Sequence, residues 1–385
     1  VLNKNKEKRK AAINETLNDF FNKTIKNINQ EELAAFLYEA DLIKLRSKEY
    51  KDLISLLLKN FENLSHKTQI QLLESIHTSF ENDFVSEVET LYSKEDDDYL
   101  FVLSSCYLLR NNVLNRDDII KNINKRNKTS NSELITYYEH FLNNKNNNIP
   151  SLAELLKHDF QPNKTIIYTF FRKDRNYRGL TIIRKPDGKF VKNENGSIFS
   201  VPQLGLSVTN LPGILRNGNT PAGIYSIVGW YITPTKSIGP TPIVLTRLPF
   251  EVPTEVFYHN NNKSQKYNLN EYLNLLPESW QTDYRMTEAY YAGKLGRKLI
   301  IMHGSADDLE YFEKEIYYPL TPSKGCLTTK EIWNNDDGTL TESDQVKLMK
   351  AFFSTGKLEG YLLVIELDDA KKDVSLEEIE TFIKR

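Results

Sequence analysis

The chain has 385 residues, enough for two or three domains, with 50 basic residues against 52 acidic ones and a formal net charge of −2. That balance excludes the basic excess of a general nucleic-acid binder. A hydrophobic share of 39% and a charged share of 26% are ordinary for a soluble protein, and no apolar run reaches transmembrane length.

The chain opens on Val1 rather than methionine, as a processed or truncated product would. Its basic start, Lys4 to Lys10, leads into a polar helix with no apolar core of a signal peptide. Residues 1–160 read as a helical region. Leu33, Phe36, Leu37 and Ala40 recur at helical spacing, as do Leu53, Leu56, Leu57 and Phe61, then Ile70, Leu73, Ile76 and Phe80. No proline precedes Pro150 and no glycine precedes Gly179. The run Glu95-Asp96-Asp97-Asp98 is placed to cap an apolar helix over 99–109, and it lacks the spaced oxygen ligands of a calcium loop. The polar stretch 143–148 reads as a loop, and 151–156 as one more short helix, with the domain boundary between about 145 and 165.

From 165 the pattern changes to strands separated by turns. Strands are expected over 165–171, 179–184, 205–208, 224–231, 243–246, 255–258, 298–302 and 361–366. Pro186-Asp187-Gly188 is a turn signal. Local helices are expected over 267–276 and 342–353, and a C-terminal helix over 375–383 with Ser375 as its cap.

Two residues of this half stand out. His303 ends the apolar run Leu299-Ile300-Ile301-Met302, and Cys326 lies in the turn Ser323-Lys324-Gly325-Cys326. The thiolate is the nucleophilic form of cysteine, and a nearby imidazole can take the thiol proton and later protonate a leaving amine. Gly304 frees the backbone after His303 to turn, and its carbonyl is placed to orient the ring. The N–H groups of Gly325 and Cys326 are candidate oxyanion donors, and Ser323 is placed to hydrogen-bond within the turn. From the residues alone three accounts stay open. One is thiol catalysis. Another is a buried small hydrophobe beside a satisfied structural histidine. The last is a metal site using His259, His303 and Cys326, for which no ligand spacing exists. The other cysteine, Cys106, lies in the helical region; a Cys106–Cys326 bridge is formally allowed, but a free thiol is the better reading.

In sequence order, His303-Gly304, Ser323, Gly325-Cys326-Leu327 and the upstream turn Thr220-Pro221-Ala222-Gly223-Ile224-Tyr225 together resemble the catalytic domain of bacterial L,D-transpeptidases of the YkuD or ErfK type. The resemblance covers about 168–368. It implies an α+β multidomain protein: a helical N-terminal region (1–160), a strand-rich YkuD-like β-sandwich catalytic domain (161–370) with an insertion at about 232–297, and a C-terminal helix (371–385). It implies that Cys326 attacks a tetrapeptide stem of peptidoglycan and that D-alanine leaves. A stem amine (giving a 3→3 cross-link) or a free D-amino acid then resolves the thioester, with no cofactor and no metal. The same resemblance implies acylation by carbapenems and a periplasmic or cell-envelope location.

The chain departs from the family pattern at Lys324, where histidine is usual, and at Thr328, where arginine is common. Lys324, Arg297, Tyr317 and Tyr318 are the substrate-binding candidates, Arg297 as a source of the missing guanidinium. The insertion, with Pro277-Glu278-Ser279-Trp280 and Tyr284-Arg285, is either a lid or packing. Alternatives are an L,D-carboxypeptidase or endopeptidase on the same stems, and a non-catalytic wall-binding protein with a decayed site. The helical region is expected to buttress the enzyme or to hold an unidentified partner.

Overall fold

The computed structural model describes residues 2–126, 132–143, 148–161 and 163–383. Of the polar loop expected over 143–148, residues 144–147 lie outside the described residues. The chain divides into two compact units. One comprises Lys4–Asn146 with Val208–Leu211, and the other Val1–Asn3, Asn147–Ser207 and Pro212–Arg385.

The first unit is helical, as the 3.6-residue periodicity predicts. Leu33, Leu37 and Ala40 are fully buried on the helix Gln30–Leu42, as are Leu53 and Leu57 on Lys48–Lys59. Polar caps start these helices. Ser47 accepts from Tyr50 N, Ser65 from Thr68 N, and Asp97 from Tyr99 N and Leu100 N at the head of Asp98–Arg110. The acidic run therefore satisfies orphan donors at a helix start. Cys106 is buried in this helix beside the Tyr138 hydroxyl, and burial pushes its thiol up to about 11.

The second unit is built on strands β1 (Thr165–Phe171), β2 (Gly179–Arg184), β3 (Ser200–Gln203), β4 (Gly223–Tyr231), β5 (Ile243–Arg247), β6 (Met302–His303), β7 (Leu327–Thr328), β8 (Glu331–Trp333), β9 (Leu340–Ser343) and β10 (Gly360–Glu366). The strands expected to form a sandwich lie largely in one mixed eight-stranded sheet of order β3-β2-β1-β10-β4-β5-β6-β7, with β8 and β9 as a separate pair. The pairs β1/β10 and β6/β7 are parallel. An irregularity between Ile227 and Gly229 adds twist, and a bridge from Leu204 to Thr328 joins the two edges, so the sheet nearly closes on itself. One core cluster takes Val201, Ile183, Ile167, Leu362, Tyr225, Val244, Met302 and Leu327, one side chain from each strand, together with Leu348, Met349 and Phe352 of the helix Asp344–Phe353. The alternate residues of β1, β2 and β10 pack into a second cluster on the other face. Burial on both faces explains why these strands read as continuous apolar runs.

Several expectations need correction. The helix Leu152–Lys157 and the C-terminal helix Leu376–Ile383 both belong to the strand-rich unit, because Leu152, Leu155, Leu156 and Ile379 join its core. Arg172, fully buried, fixes the C-terminal helix by donating to Glu378 (2.6 and 3.0 Å) and Asp368 (2.7 Å). The segment 232–297, left open between lid and packing, contributes to the fold itself. It supplies β5, a strand within the sheet, and buries Tyr272 and Trp280 in the core. Residues 255–258 are not a strand; Thr254–Phe257 is a helical turn entered from Pro253, and a run as short as Val256-Phe257-Tyr258 cannot distinguish the two. Strand β3 lies at 200–203 rather than 205–208.

Candidate active site

Alternation along β6 and β7 positions the two candidate residues. Met302 pairs with Leu327 and His303 with Thr328, and Met302 and Leu327 face the shared core. His303 and Cys326 therefore lie on the opposite face, offset by two register positions. Leu327 N–H donates to Ile301 O (3.0 Å) and Thr329 N–H to His303 O (3.0 Å), which fixes that register.

His303 is buried, and its Nδ1 lies against the Gly304 carbonyl. Burial pushes the imidazole down to about 4, against the opposing pull of that carbonyl. A Cβ at Gly304 would collide with the Glu331 carboxyl group, which would have to move to admit it. Glu331 is itself buried, takes a hydrogen bond from Ser343 Oγ (2.8 Å), and is held above the usual carboxylate range by burial.

Cys326 is half-buried and is not in a disulfide with Cys106. Its Sγ lies 3.5 Å from Leu299 O. Burial pushes the thiol up, the Ile301 backbone and Arg297 guanidinium offset part of this, and Glu251 adds to it. Among the described residues no hydrogen bond joins the thiol to the imidazole. Both groups are thus held neutral, the reverse of a preformed thiolate–imidazolium pair. One expected outcome is direct. Alkylation of Cys326 by iodoacetamide, followed by intact mass against pH, should keep rising through pH 8 and 9 and leave Cys106 unlabelled; a plateau below pH 7 would contradict the neutral pair.

The turn around the thiol is tightly constrained. Gly325 N–H donates to Ser323 Oγ (3.0 Å), and Ser323 Oγ donates to Cys326 O (3.0 Å). The expected oxyanion role of Gly325 is therefore corrected: its N–H is already used within the turn. The Cys326 N–H has no acceptor among the described residues. The Gly325 carbonyl of the same peptide accepts from Thr220 Oγ1 (3.0 Å), which also reaches Cys326 O (3.3 Å). In a planar trans peptide the C=O and N–H point in opposite directions, so Thr220 aims the Cys326 N–H. The upstream Thr-Pro-Ala-Gly motif and the cysteine turn are thereby one structure.

The substrate-binding candidates separate. Arg297 is buried, and its guanidinium donates to the carbonyls of Gly213, Gly218 (2.9 Å) and Asn219 (2.9 Å) while lying against Gly325. It therefore holds the loop beside the cysteine turn. Tyr317 is fully buried among Leu204, Leu206, Phe312 and Leu320, so it is core rather than cleft. Tyr318 is exposed, and Lys324, half-buried, flanks the turn. Thr328, where arginine was the family expectation, is buried and donates to Thr321 O (2.6 Å). His259 sits near Gly360 O (2.9 Å) and Ser226 Oγ (3.0 Å), edge-on to Tyr361; among the described residues no three side chains form a metal-ligating group.

Sequence reasoning missed Glu288. Its carboxylate accepts from Gly213 N (3.0 Å) and Ala222 N (2.8 Å). Burial, aided by Glu366, pushes it up to about 7 against the Ala222 N–H, Arg175 and Arg297. A glutamate at the start of a short helix carries no signal in the sequence beyond a favourable N-terminal charge. Comparison with known proteins finds no family model that matches the chain, no matching curated relative and no matching solved structure.

Proposed function

We propose that this protein is a cysteine acyl-transfer enzyme of the L,D-transpeptidase type, acting on peptidoglycan tetrapeptide stems in the cell envelope. The observation that carries the reading is the Gly325–Cys326 peptide. It presents a half-buried thiol and an N–H with no acceptor among the described residues, both from one turn, on the sheet face that also carries His303.

The chemistry follows from these groups. On attack, the Cys326 sulfur bonds to the carbonyl carbon of the third stem residue as its proton passes to His303. The oxyanion is stabilised by the Cys326 N–H. An imidazole held near 4 makes a strongly acidic imidazolium, which protonates the departing nitrogen as the C–N bond breaks and D-alanine leaves. An acceptor amine then attacks the thioester carbon, loses its proton to His303, and releases the thiol. Water in place of the amine makes the protein an L,D-carboxypeptidase. Carbapenem acylation at the same sulfur belongs to this reading, as does a YkuD-like arrangement of the near-closed sheet. The helical unit is proposed to hold a partner or to orient the enzyme on its polymer.

A non-catalytic wall-binding protein is the second reading, favoured by one observation: the thiol faces Leu299 O rather than the imidazole. Hydrogen bonds of a catalytic site often tighten only with substrate bound, which leaves the enzymatic reading first. Intact-mass spectrometry with purified tetrapeptide muropeptides and excess D-amino acid decides between them. An adduct on Cys326 with D-alanine exchange or a 3→3 cross-link is the expected result. Unchanged protein and muropeptides would sink the catalytic reading.

A further inference from the structure

The segment that ends the 232–297 insertion grips the loop 213–222 from both polarities. Glu288 accepts two of its N–H groups, from Gly213 and Ala222. Nine residues on, Arg297 donates to three of its carbonyls, those of Gly213, Gly218 and Asn219. Between these anchors lies Thr220, whose hydroxyl holds the carbonyls of Gly325 and Cys326. The Gly325 Cα itself abuts the Arg297 guanidinium and the Gly218 carbonyl, with no room for a Cβ.

From this chain of contacts we infer that Glu288 and Arg297 are positioning residues, a two-ended clamp that fixes the Cys326 N–H as oxyanion donor through Thr220. The inference rests on the acyl-transfer reading for its kinetic consequences and on geometry alone for its structural ones. It assigns the insertion a function distinct from a lid, namely pre-organisation of the nucleophile's peptide. The clamp also responds to acid. Glu288 faces Glu366, Arg175, Arg297, Tyr225 and Tyr284, and protonation near pH 7 costs it acceptor strength toward one N–H. His303 near 4 and a raised Cys326 titrate outside that range, and a limb at about 7 that Glu288→Gln removes is the mark of the clamp.

The test compares Thr220→Val, Glu288→Gln, Arg297→Ala and Arg297→Lys with the wild-type chain, using two readouts. Hydrogen–deuterium exchange over 323–328 needs no substrate. Faster exchange there, with β1 and β10 unchanged, is expected in the first three variants and is partly restored in Arg297→Lys. Steady-state D-alanine exchange should lose kcat by about 10²-fold with KM nearly unchanged, and the wild-type limb near pH 7 should vanish in Glu288→Gln. Thr220→Val, which removes a single hydroxyl at constant volume, carries the test whether or not Arg297→Ala folds. Wild-type exchange and kcat in folded Thr220→Val, or a rise in KM alone, would overturn the clamp. An inactive wild type with the expected exchange pattern would instead overturn the proposed function and leave the clamp standing.

Discussion

Cys326→Ala is expected to abolish acyl transfer while leaving the protein folded. The side chain is half-buried and its one polar contact is a 3.5 Å approach to Leu299 O, so losing the sulfur costs well under about 2 kcal/mol. On the proposed acyl-transfer reading the same change deletes the nucleophile and with it the covalent route, a loss on the order of 10⁶ in kcat where a comparable group has been deleted. Thermal melting and mass spectrometry with muropeptides check the two halves together. Residual transfer above background in this variant would place the nucleophile elsewhere. His303→Ala is expected to fall less far, by about 10²–10⁴, because the oxyanion donor on Cys326 remains.

Gly325→Ala is expected to fail in a different way, by disrupting the turn itself. Gly325 has φ +112°, a conformation that L side chains rarely adopt. A Cβ there would lie 2.5 Å from the Gly218 carbonyl oxygen and would strike the Arg297 guanidinium. The carbonyl is backbone and the guanidinium is held by three carbonyls, so neither yields cheaply. Strain and overpacking together should cost about 3 kcal/mol or more, read as a lowered urea midpoint. In any folded fraction, displacement of the Cys326 N–H should lower kcat by a further 10²-fold or so. A variant with wild-type stability and turnover would show that the turn tolerates a side chain.

The sequence made part of this architecture readable and hid the rest for physical reasons. Strands β1, β2 and β10 announce themselves because both faces are buried and every position but the closing Arg184 and Glu366 is apolar or hydroxylated. Strand β7 has two residues and no pattern of its own; its place depends on Met302 and His303 across the ladder. His303, Cys326 and Thr220 could be named in advance because their chemistry and neighbours are distinctive. Arg297 was legible as a candidate but not as a buried brace, since a guanidinium looks alike in sequence whether it awaits a carboxylate or holds a loop. Glu288 and Glu331 were invisible, because the backbone N–H groups that Glu288 accepts from and the Ser343 hydroxyl that Glu331 accepts from are brought close only by folding. Leu299, at φ +60° and 60% exposed, also defeats the pattern: an apolar run reads as strand, whereas the chain turns there.

The neutral state of Cys326 carries a consequence for its survival under oxidative stress. Peroxide attacks thiolate, and the first oxidation product, a sulfenic acid, goes on to disulfide or to irreversible acids. A raised thiol beside an unprotonated imidazole offers little thiolate at neutral pH, so the resting sulfur is poorly reactive toward small oxidants. On the proposed acyl-transfer reading, reactivity is deferred until a carbonyl sits against the sulfur and the imidazole can take its proton. The environment that holds the thiol neutral thereby also spares the sulfur from small oxidants.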